Sequence, residues 1–133
     1  MALVLPDQGE ALVLEAITNK TAPQNLKLKL FKLPASDPGE TATESSFTEA
    51  DFTGYSEDAS ITWGRASGSP TTITGDKSTF TSSAGSQNQD VYGYYLVQTT
   101  SGKLVCYEYF TGGPYNIANN GDKIEVTPSI SAA

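Results

Sequence analysis

The 133-residue sequence contains no histidine and only one cysteine, Cys106. Histidine is the most common general base and metal ligand near neutral pH, so its absence excludes the usual forms of both chemistries. A single cysteine cannot form an intramolecular disulfide or a cysteine-based metal site. Because Cys106 lies between Val105 and Tyr107 in an apolar run, we predict that it is a small, buried core thiol.

Long apolar runs are also missing. No stretch approaches the roughly 20 residues that are needed to cross a bilayer. No positive residue precedes Lys20, and no small-residue cleavage site follows the apolar N-terminal stretch, which argues against a secretory signal. We therefore predict a protein that is made in the cytoplasm and has no membrane partner.

Charged residues make up only 17% of the chain, and acidic residues outnumber basic ones to give a net charge of −7 and a pI near 4.3. A negative field of this kind opposes binding to nucleic acid phosphates and to anionic lipids. Lys27, Lys29 and Lys32 form the one local basic cluster, which either makes a positive stripe on a strand or simply solvates that face. We predict no nucleic acid partner.

Threonine, serine and glycine are abundant, which favours many short strands over helices. Five of the seven tyrosines lie within residues 91–110, where two apolar runs flank a Ser-Gly pair, and this pattern predicts a β-hairpin. Both faces of the hairpin are apolar, so both should be covered, and another subunit of a homo-oligomer is one candidate cover. With Ser101 and Gly102 in the turn, one face would carry Tyr92, Tyr94, Leu96, Val105, Tyr107 and Tyr109.

The chain as a whole predicts one β domain at residues 7–128, with an extended N-terminal arm at 1–6 and a C-terminal tail at 129–133. Pro6 disfavours helical geometry in the residue before it, which is why the arm should be extended. The segment Asp7–Ile17 is either a short helix capped by Asp7, with Glu10 completing a capping box, or a strand through residues 11–17.

Alternating patterns predict the other strands. Leucines and lysines alternate over residues 25–33, which indicates a strand with one solvated face. Altogether the patterns indicate about seven strands in an all-β, single-domain β-sandwich or small barrel. The shorter strands are predicted at 59–64, with Trp63 pointing inward, at 71–74 paired with 77–82 in a hairpin, at 115–118 and at 123–127, after a turn at 119–122.

Two further segments have distinct compositions. Residues 34–46 contain two prolines, a glycine and three acids but no large apolar side chain, so we predict a mobile surface loop. Phe47 and Phe52 flank a small polar centre, which indicates a single helical turn that pins this loop to the core through its two rings.

No catalytic, cofactor-binding or metal-binding residues can be assigned, and we predict that the protein is not an enzyme. Glu108 is the one acid embedded in an aromatic strand, but a glycosidase requires a second, suitably placed carboxylate, and a structural role for Glu108 is the simpler explanation. The acids near residues 36–40 and 119–122 lack the spacing of a calcium loop and are explained by turn chemistry. Trp63 with exposed tyrosines would suit sugar stacking, although core packing explains the same aromatics.

The chain contains, in this order, the segments MALVLPDQGE, NLKLKLFK, FTEADFTGY, ITW, YGYYLV, LVCYEYF and YNIANNGDKIEVTP. This order resembles that of small structural proteins of tailed-phage virions, particularly capsid cement or decoration proteins. The resemblance implies an accessory protein on the outer capsid surface of the virion, which bridges subunits of the major capsid protein against internal DNA pressure. The alternative is a phage tail, fibre or host-glycan-binding β module.

Two sets of residues are candidates for partner binding. The apolar arm residues Leu3, Val4 and Leu5 are suited to adding a strand to a neighbour's sheet edge, where backbone hydrogen bonds supply affinity. The surplus apolar face of the hairpin is suited to self-association, and its candidate contact residues are Tyr92, Tyr94, Tyr107 and Tyr109.

Overall fold

A computed structural model describes residues 3–132, which form one α-helix and ten short strands. The expected predominance of β structure is confirmed, with ten strands in place of about seven, and within this range the strands do not close into a barrel. The elements are α1 Asp7–Ile17, β1 Leu26–Leu33, β2 Thr48–Glu49, β3 Thr71–Thr74, β4 Ser78–Thr81, β5 Gln89–Val91, β6 Gly93–Gln98, β7 Leu104–Tyr109, β8 Tyr115–Ile117, β9 Lys123–Val126 and β10 Ser129–Ala132, with a 3-10 turn at Glu44–Ser46.

The central element is an antiparallel sheet with the strand order β2-β1-β6-β7. The β6–β7 pair is the hairpin that the sequence predicts, and β1 lies beside β6 with Leu28 opposite Leu96. Leu28 and Leu30 of β1 are fully buried as expected, but the lysine face is not simply solvated, because Phe31 on that face is also fully buried. The sheet is therefore covered on both faces.

The predicted division of side chains between the two hairpin faces is wrong. The structure pairs Tyr94 with Glu108 and Tyr95 with Tyr107, whereas Ser101 and Gly102 in a tight turn would have paired Tyr94 with Tyr109. This difference of one residue in register moves every side chain of one strand to the opposite face. The shift arises because residues 99–103 form a longer connection and a bulge interrupts the pairing after Leu96.

Two apolar clusters lie on opposite faces of this sheet, and both are closed by residues of the same chain. The first contains Leu28, Leu30, Tyr94, Leu96 and Cys106, covered mainly by Phe52, Phe80, Ile117, Ile124 and Val126. The second contains Phe31, Tyr95, Val97, Leu104, Tyr107 and Tyr109, covered by Ala42 and Phe47. The hairpin is thus covered on both sides without a second subunit.

The loop at residues 34–46 is anchored over the second cluster. Ala42 is buried, Tyr109 donates its hydroxyl to the carbonyl oxygen of Pro34 at 2.9 Å, and Tyr107 donates to the Asp37 carboxylate. The predicted helical turn over residues 47–52 is wrong, because the 3-10 turn ends before Phe47 and β2 follows it. Phe47 and Phe52 do anchor the segment, but in opposite clusters.

Three two-stranded ribbons complete the described part of the fold, and they change three further predictions. The predicted hairpin of β3 with β4 is wrong, because β3 pairs with β10 and β4 pairs with β9, while β5 pairs with β8. The segment predicted as a C-terminal tail supplies β10 as far as Ala132. Residues 59–64 form no regular strand and contribute one isolated bridge, between Trp63 and Gly75.

Candidate docking surface

The N-terminal arm lies along the outer edge of β7. The amide of Val4 donates to the carbonyl oxygen of Tyr107 at 2.8 Å, and the amide of Tyr107 donates back to Val4 at 3.0 Å. Leu3 and Leu5 pack against the first cluster and Val4 against the second, and all three side chains are half-buried. The arm therefore pairs through its backbone with a sheet edge of its own chain, and its pairing with a neighbour's edge stays a prediction.

Helix α1 follows the arm and also lies along β7. Of the two alternatives for residues 7–17, the helix is therefore correct and the strand through residues 11–17 is wrong. Pro6 is the N-cap residue and no side-chain capping bond is present, so the predicted capping role of Asp7 is wrong. Gln8 accepts a hydrogen bond from the amide of Leu104 at 2.7 Å and ties the helix to β7. Three apolar side chains of the helix are not packed against the domain, with exposures of 45% for Val13, 60% for Leu14 and 74% for Ile17.

Two grooves meet at Ile130 of β10. The first, of about 350 Å³, is lined by Leu3, Leu5, Glu108 and residues 129–131. The second, of about 300 Å³, is mostly apolar, and its lining residues are Gln24, Asn25, Leu26, Trp63, Ile73 and Ile130.

The apolar residues of both grooves form one surface around β10, and we call it the Ile130 surface. Its members are all half-buried, so each contributes to the domain and still presents apolar atoms to solvent. A patch of this kind with a polar rim is typical of a protein interaction site. The Ile130 surface comprises Leu3, Leu5, Leu26, Trp63, Ile73 and Ile130.

Glu108 has a structural partner in this region. Its carboxylate accepts a hydrogen bond from the Tyr94 hydroxyl at 2.9 Å, directly across the β6–β7 pair. Burial, reinforced by this bond to a carboxylate, raises the pKa of Tyr94. Cys106 is the buried core thiol that the sequence predicts, and burial raises its pKa to about 12.

The predicted tyrosine contacts are placed mainly in the core. Tyr94, Tyr107 and Tyr109 are each less than 10% exposed, and Tyr92 is half-buried against the second cluster. The hydroxyls of Tyr94, Tyr107 and Tyr109 donate to internal partners, and burial raises the pKa of Tyr109 to about 12. Of the seven candidate residues, only Leu3 and Leu5 belong to the Ile130 surface.

The basic cluster of β1 is matched by acids of the same chain. Lys29 lies 3.3 Å from Glu44, 3.7 Å from Glu49 and 3.6 Å from Glu57. Lys27 pairs with Glu57, and Lys32 pairs with Asp51 at 2.8 Å. Burial acts to lower the pKa of Lys29, but the surrounding carboxylates outweigh it, so that the pKa is raised. No unpaired positive stripe runs along this strand in the described range.

Comparison with known protein families, curated proteins and solved structures finds no match for this chain. Between residues 3 and 132, no group of three or more acidic or thiol side chains is placed to hold a metal ion. The single helix found in that range is too short to span a membrane.

Sequence reasoning did not assign four residues of the Ile130 surface to partner binding, namely Leu26, Trp63, Ile73 and Ile130. The alternation in Ser129-Ile130-Ser131 was an available signal for a short strand with one apolar face. Nothing in the sequence shows that this strand lies beside β3, because local patterns do not specify distant partners.

Proposed function

We propose that this protein is a capsid cement protein, which binds the outer surface of a tailed-phage head and stabilises contacts between subunits of the major capsid protein. The observation that carries the proposal is the Ile130 surface, which combines arm residues Leu3 and Leu5 with Trp63 in one apolar patch. Tryptophan is enriched among residues that dominate the energy of protein interfaces. The virion is the location that follows from this role.

A cement protein must join at least two neighbours, and the outer face of α1 provides a second surface for this purpose. Val13, Leu14 and Ile17 lie within two turns and are the most exposed apolar group of the helix. We assign them to contacts between copies of this chain, so that the protein forms a homo-oligomer on the shell. The earlier candidate for self-association, the hairpin face, is occupied by the chain's own core.

We also infer that the fold is a β-sandwich. The ribbons β4/β9 and β5/β8 supply Phe80, Ile117 and Ile124 to the first cluster, opposite the leucines of β1. Two layers that share one core in this way correspond to sheet-on-sheet packing.

The first experiment measures the copy number of this chain in purified particles, by gel densitometry against the major capsid protein. Cementing requires a copy number comparable with that of the shell subunits. A few copies per particle would place the protein at the tail or fibres, and complete absence would overturn the virion assignment.

The second experiment tests the surface with heads that lack this protein. The variant Ile130→Asp introduces a charge into the Ile130 surface and should weaken head binding at least tenfold. Leu33→Asp is the matched control, because Leu33 is 52% exposed at the other end of β1. It lies about 23 Å from Leu26 along the strand, at roughly 3.3 Å per residue, and should bind as the native protein does. Equal binding by both variants would contradict the assignment of the surface.

A glycan-binding module is the second candidate, and the groove beside Trp63 favours it. A half-buried indole next to the amides of Gln24 and Asn25 combines a stacking face with hydrogen-bonding groups, and none of the lining residues is charged. Trp63 is the only tryptophan, so its fluorescence reports directly on this groove. A saturable change with maltose or N-acetylglucosamine, lost in Gln24→Ala, would support this candidate, and no change at millimolar sugar would exclude it for these sugars.

A further inference from the structure

Glu108 places a carboxylate in the groove of about 350 Å³ that is lined by Leu3, Leu5 and residues 129–131. Its side chain lies on the same face of β7 as that of Cys106, because alternate residues of a strand share a face. This is the face that carries the first cluster. Glu108 is half-buried there, and a carboxylate in such an apolar setting normally has a cation beside it.

The described part of the chain, residues 3–132, supplies no such cation. Glu108 takes part in none of the ion pairs within this range. The hydroxyl of Tyr94 donates to one oxygen of the carboxylate at 2.9 Å, but this donor carries no charge. Glu49, the other acid of the central sheet, lies 3.7 Å from the ammonium group of Lys29. Glu108 is therefore the acid of this sheet that has no counter-charge among the described residues.

The walls of the groove around Glu108 are apolar and open. Leu3, Leu5 and Ile130 are each half-buried, so their carbon atoms line the groove and remain accessible to a ligand. Lysine and arginine side chains combine an apolar stem with a charged head. The stem would lie against the two leucines and Ile130, and the head would reach the carboxylate. A basic side chain thus matches both the walls and the charge of the groove.

We propose that this groove binds a lysine or arginine side chain of the major capsid protein, with Glu108 as its counter-charge. The identity of the partner rests on the proposed function, whereas the preference for a basic side chain rests on the groove alone. The net charge of −7 favours the approach of a basic segment. Beyond Ile130, the second groove contains Trp63 and has no charged lining residue. It would take an apolar side chain of the same capsid segment.

The first test measures binding to heads that lack this protein. The variant Glu108→Gln keeps an oxygen that accepts from Tyr94 but removes the charge, so it should fold as the native protein does and bind roughly tenfold more weakly. Glu40→Gln is the matched control, because Glu40 is exposed in the loop over the second cluster, on the other face of the sheet. It removes the same charge and should bind as the native protein does. Binding of Glu108→Gln with the native affinity would overturn the role of Glu108.

The second test needs no phage head. Its probe is the blocked tripeptide acetyl-Leu-Arg-Leu-amide, and the matched peptide has citrulline, a neutral side chain of similar shape, in place of arginine. In the full chain labelled with nitrogen-15, the arginine peptide should shift the amide resonances of Glu108 and residues 129–131 in a saturable manner at up to millimolar concentration. The citrulline peptide should bind roughly tenfold more weakly, and Glu108→Gln should bind both peptides equally. Equal binding of both peptides by the native protein, or no shift in the groove, would overturn the assignment of a basic side chain.

The two tests distinguish the specificity of the groove from the proposed function. If the arginine peptide binds but the native protein does not bind heads, the capsid protein is not the partner and the proposed function is wrong, while the preference for a basic side chain stands. If heads bind the native protein and Glu108→Gln equally and the peptides show no difference, the assignment of a basic side chain is wrong and the proposed function stands.

Discussion

Gly9 of α1 lies directly against the backbone of Val105 in β7: a β-carbon at position 9 would be 1.9 Å from the Val105 carbonyl oxygen. Only a residue without a side chain allows the helix to approach the strand so closely. The contact explains why a glycine occurs within a helix, where it is otherwise unfavourable by about 1 kcal/mol relative to alanine.

The variant Gly9→Ala should therefore be destabilised, although alanine is the better helix former. The helix must move away from β7, and overpacking of this kind typically costs about 1–3 kcal/mol. Urea unfolding measures the change. Gly85→Ala is the matched control, because a β-carbon at Gly85 meets no atom within 4 Å and should leave stability nearly unchanged. Equal stability of the native protein and Gly9→Ala would contradict the close packing of helix and strand.

Lys29 is the cation on which three carboxylates converge, and its side chain is only 12% exposed. The variant Lys29→Met should lose about 2 kcal/mol of unfolding free energy. It leaves Glu44 and Glu49 without this counter-charge, while Glu57 keeps its pair with Lys27. Adding Glu49→Gln to this variant should restore part of the loss. Lys123→Met is the control at an exposed pair and should cost less than about 1 kcal/mol. No rescue by Glu49→Gln would argue against charge repulsion as the cause.

The hydrogen bonds of Asp58 should make the stability of the folded protein depend on pH. Its carboxylate accepts hydrogen bonds from Ser78 at 2.5 Å and from the amide of Ser60 at 2.9 Å, and these bonds lower its pKa. Because the pKa of Asp58 is lower in the folded state, its carboxylate stabilises the fold fully at pH values above its unfolded-state pKa of about 3.9. This stabilisation is lost as the pH falls through the folded-state pKa.

The variant Asp58→Asn should accordingly be less stable than the native protein at pH 7, by about 1 kcal/mol for a half-exposed group. The difference should shrink as the pH is lowered towards 2. Urea unfolding at several pH values measures it, with Glu40→Gln as a control at an exposed acid. A difference that stays constant down to pH 2 would show that the Asp58 charge is not involved.

Cys106 should be unreactive in the folded protein. Burial both hides the thiol and raises its pKa to about 12, and the thiolate is the reactive form. Labelling with a chromogenic disulfide reagent at pH 8 should follow the rate of unfolding, whereas a cysteine introduced at the exposed position Thr100 should react at once. Fast labelling of Cys106 under native conditions would contradict its placement in the first cluster.

The parts of the fold that the sequence predicts correctly are those with long or local patterns. In β1 leucines and lysines alternate strictly, and the β6–β7 hairpin has two apolar runs around a turn. For the segment that forms α1, the sequence left helix and strand open. The errors in assigning strand partners occur where pairing depends on distant residues. β3 and β4 are separated because Gly75 donates its amide to Pro128 and Asp76 donates to Thr62, so that the predicted turn serves other strands.

The candidate site was predicted only in part, because it depends on the register of the hairpin and on contacts between distant segments. Aromatic residues occur on both faces of the hairpin, so a register error of one residue exchanged the side chains assigned to each face. Tyr107 was placed on a contact surface but is fully buried. The Ile130 surface combines the arm, the start of β1, Trp63 and two short strands, and no single stretch of sequence contains its pattern.

Backbone pairing and side-chain packing of the N-terminal arm can be tested separately at Val4. The variant Val4→Pro removes the amide that donates to Tyr107 at 2.8 Å. The variant Val4→Ala keeps that amide but loses most of the side chain that packs against the second cluster. If the backbone pair holds the arm on β7, Val4→Pro should be less stable than Val4→Ala by about 1 kcal/mol, the usual net value of one hydrogen bond. Under the cement proposal, Val4→Pro should also bind heads more weakly, because Leu3 and Leu5 would no longer be fixed on the Ile130 surface. Equal stability of the two variants in urea would show that side-chain contacts alone hold the arm. Unchanged head binding by a destabilised Val4→Pro would remove Leu3 and Leu5 from the docking surface while leaving Trp63 and Ile130 as its remaining candidates.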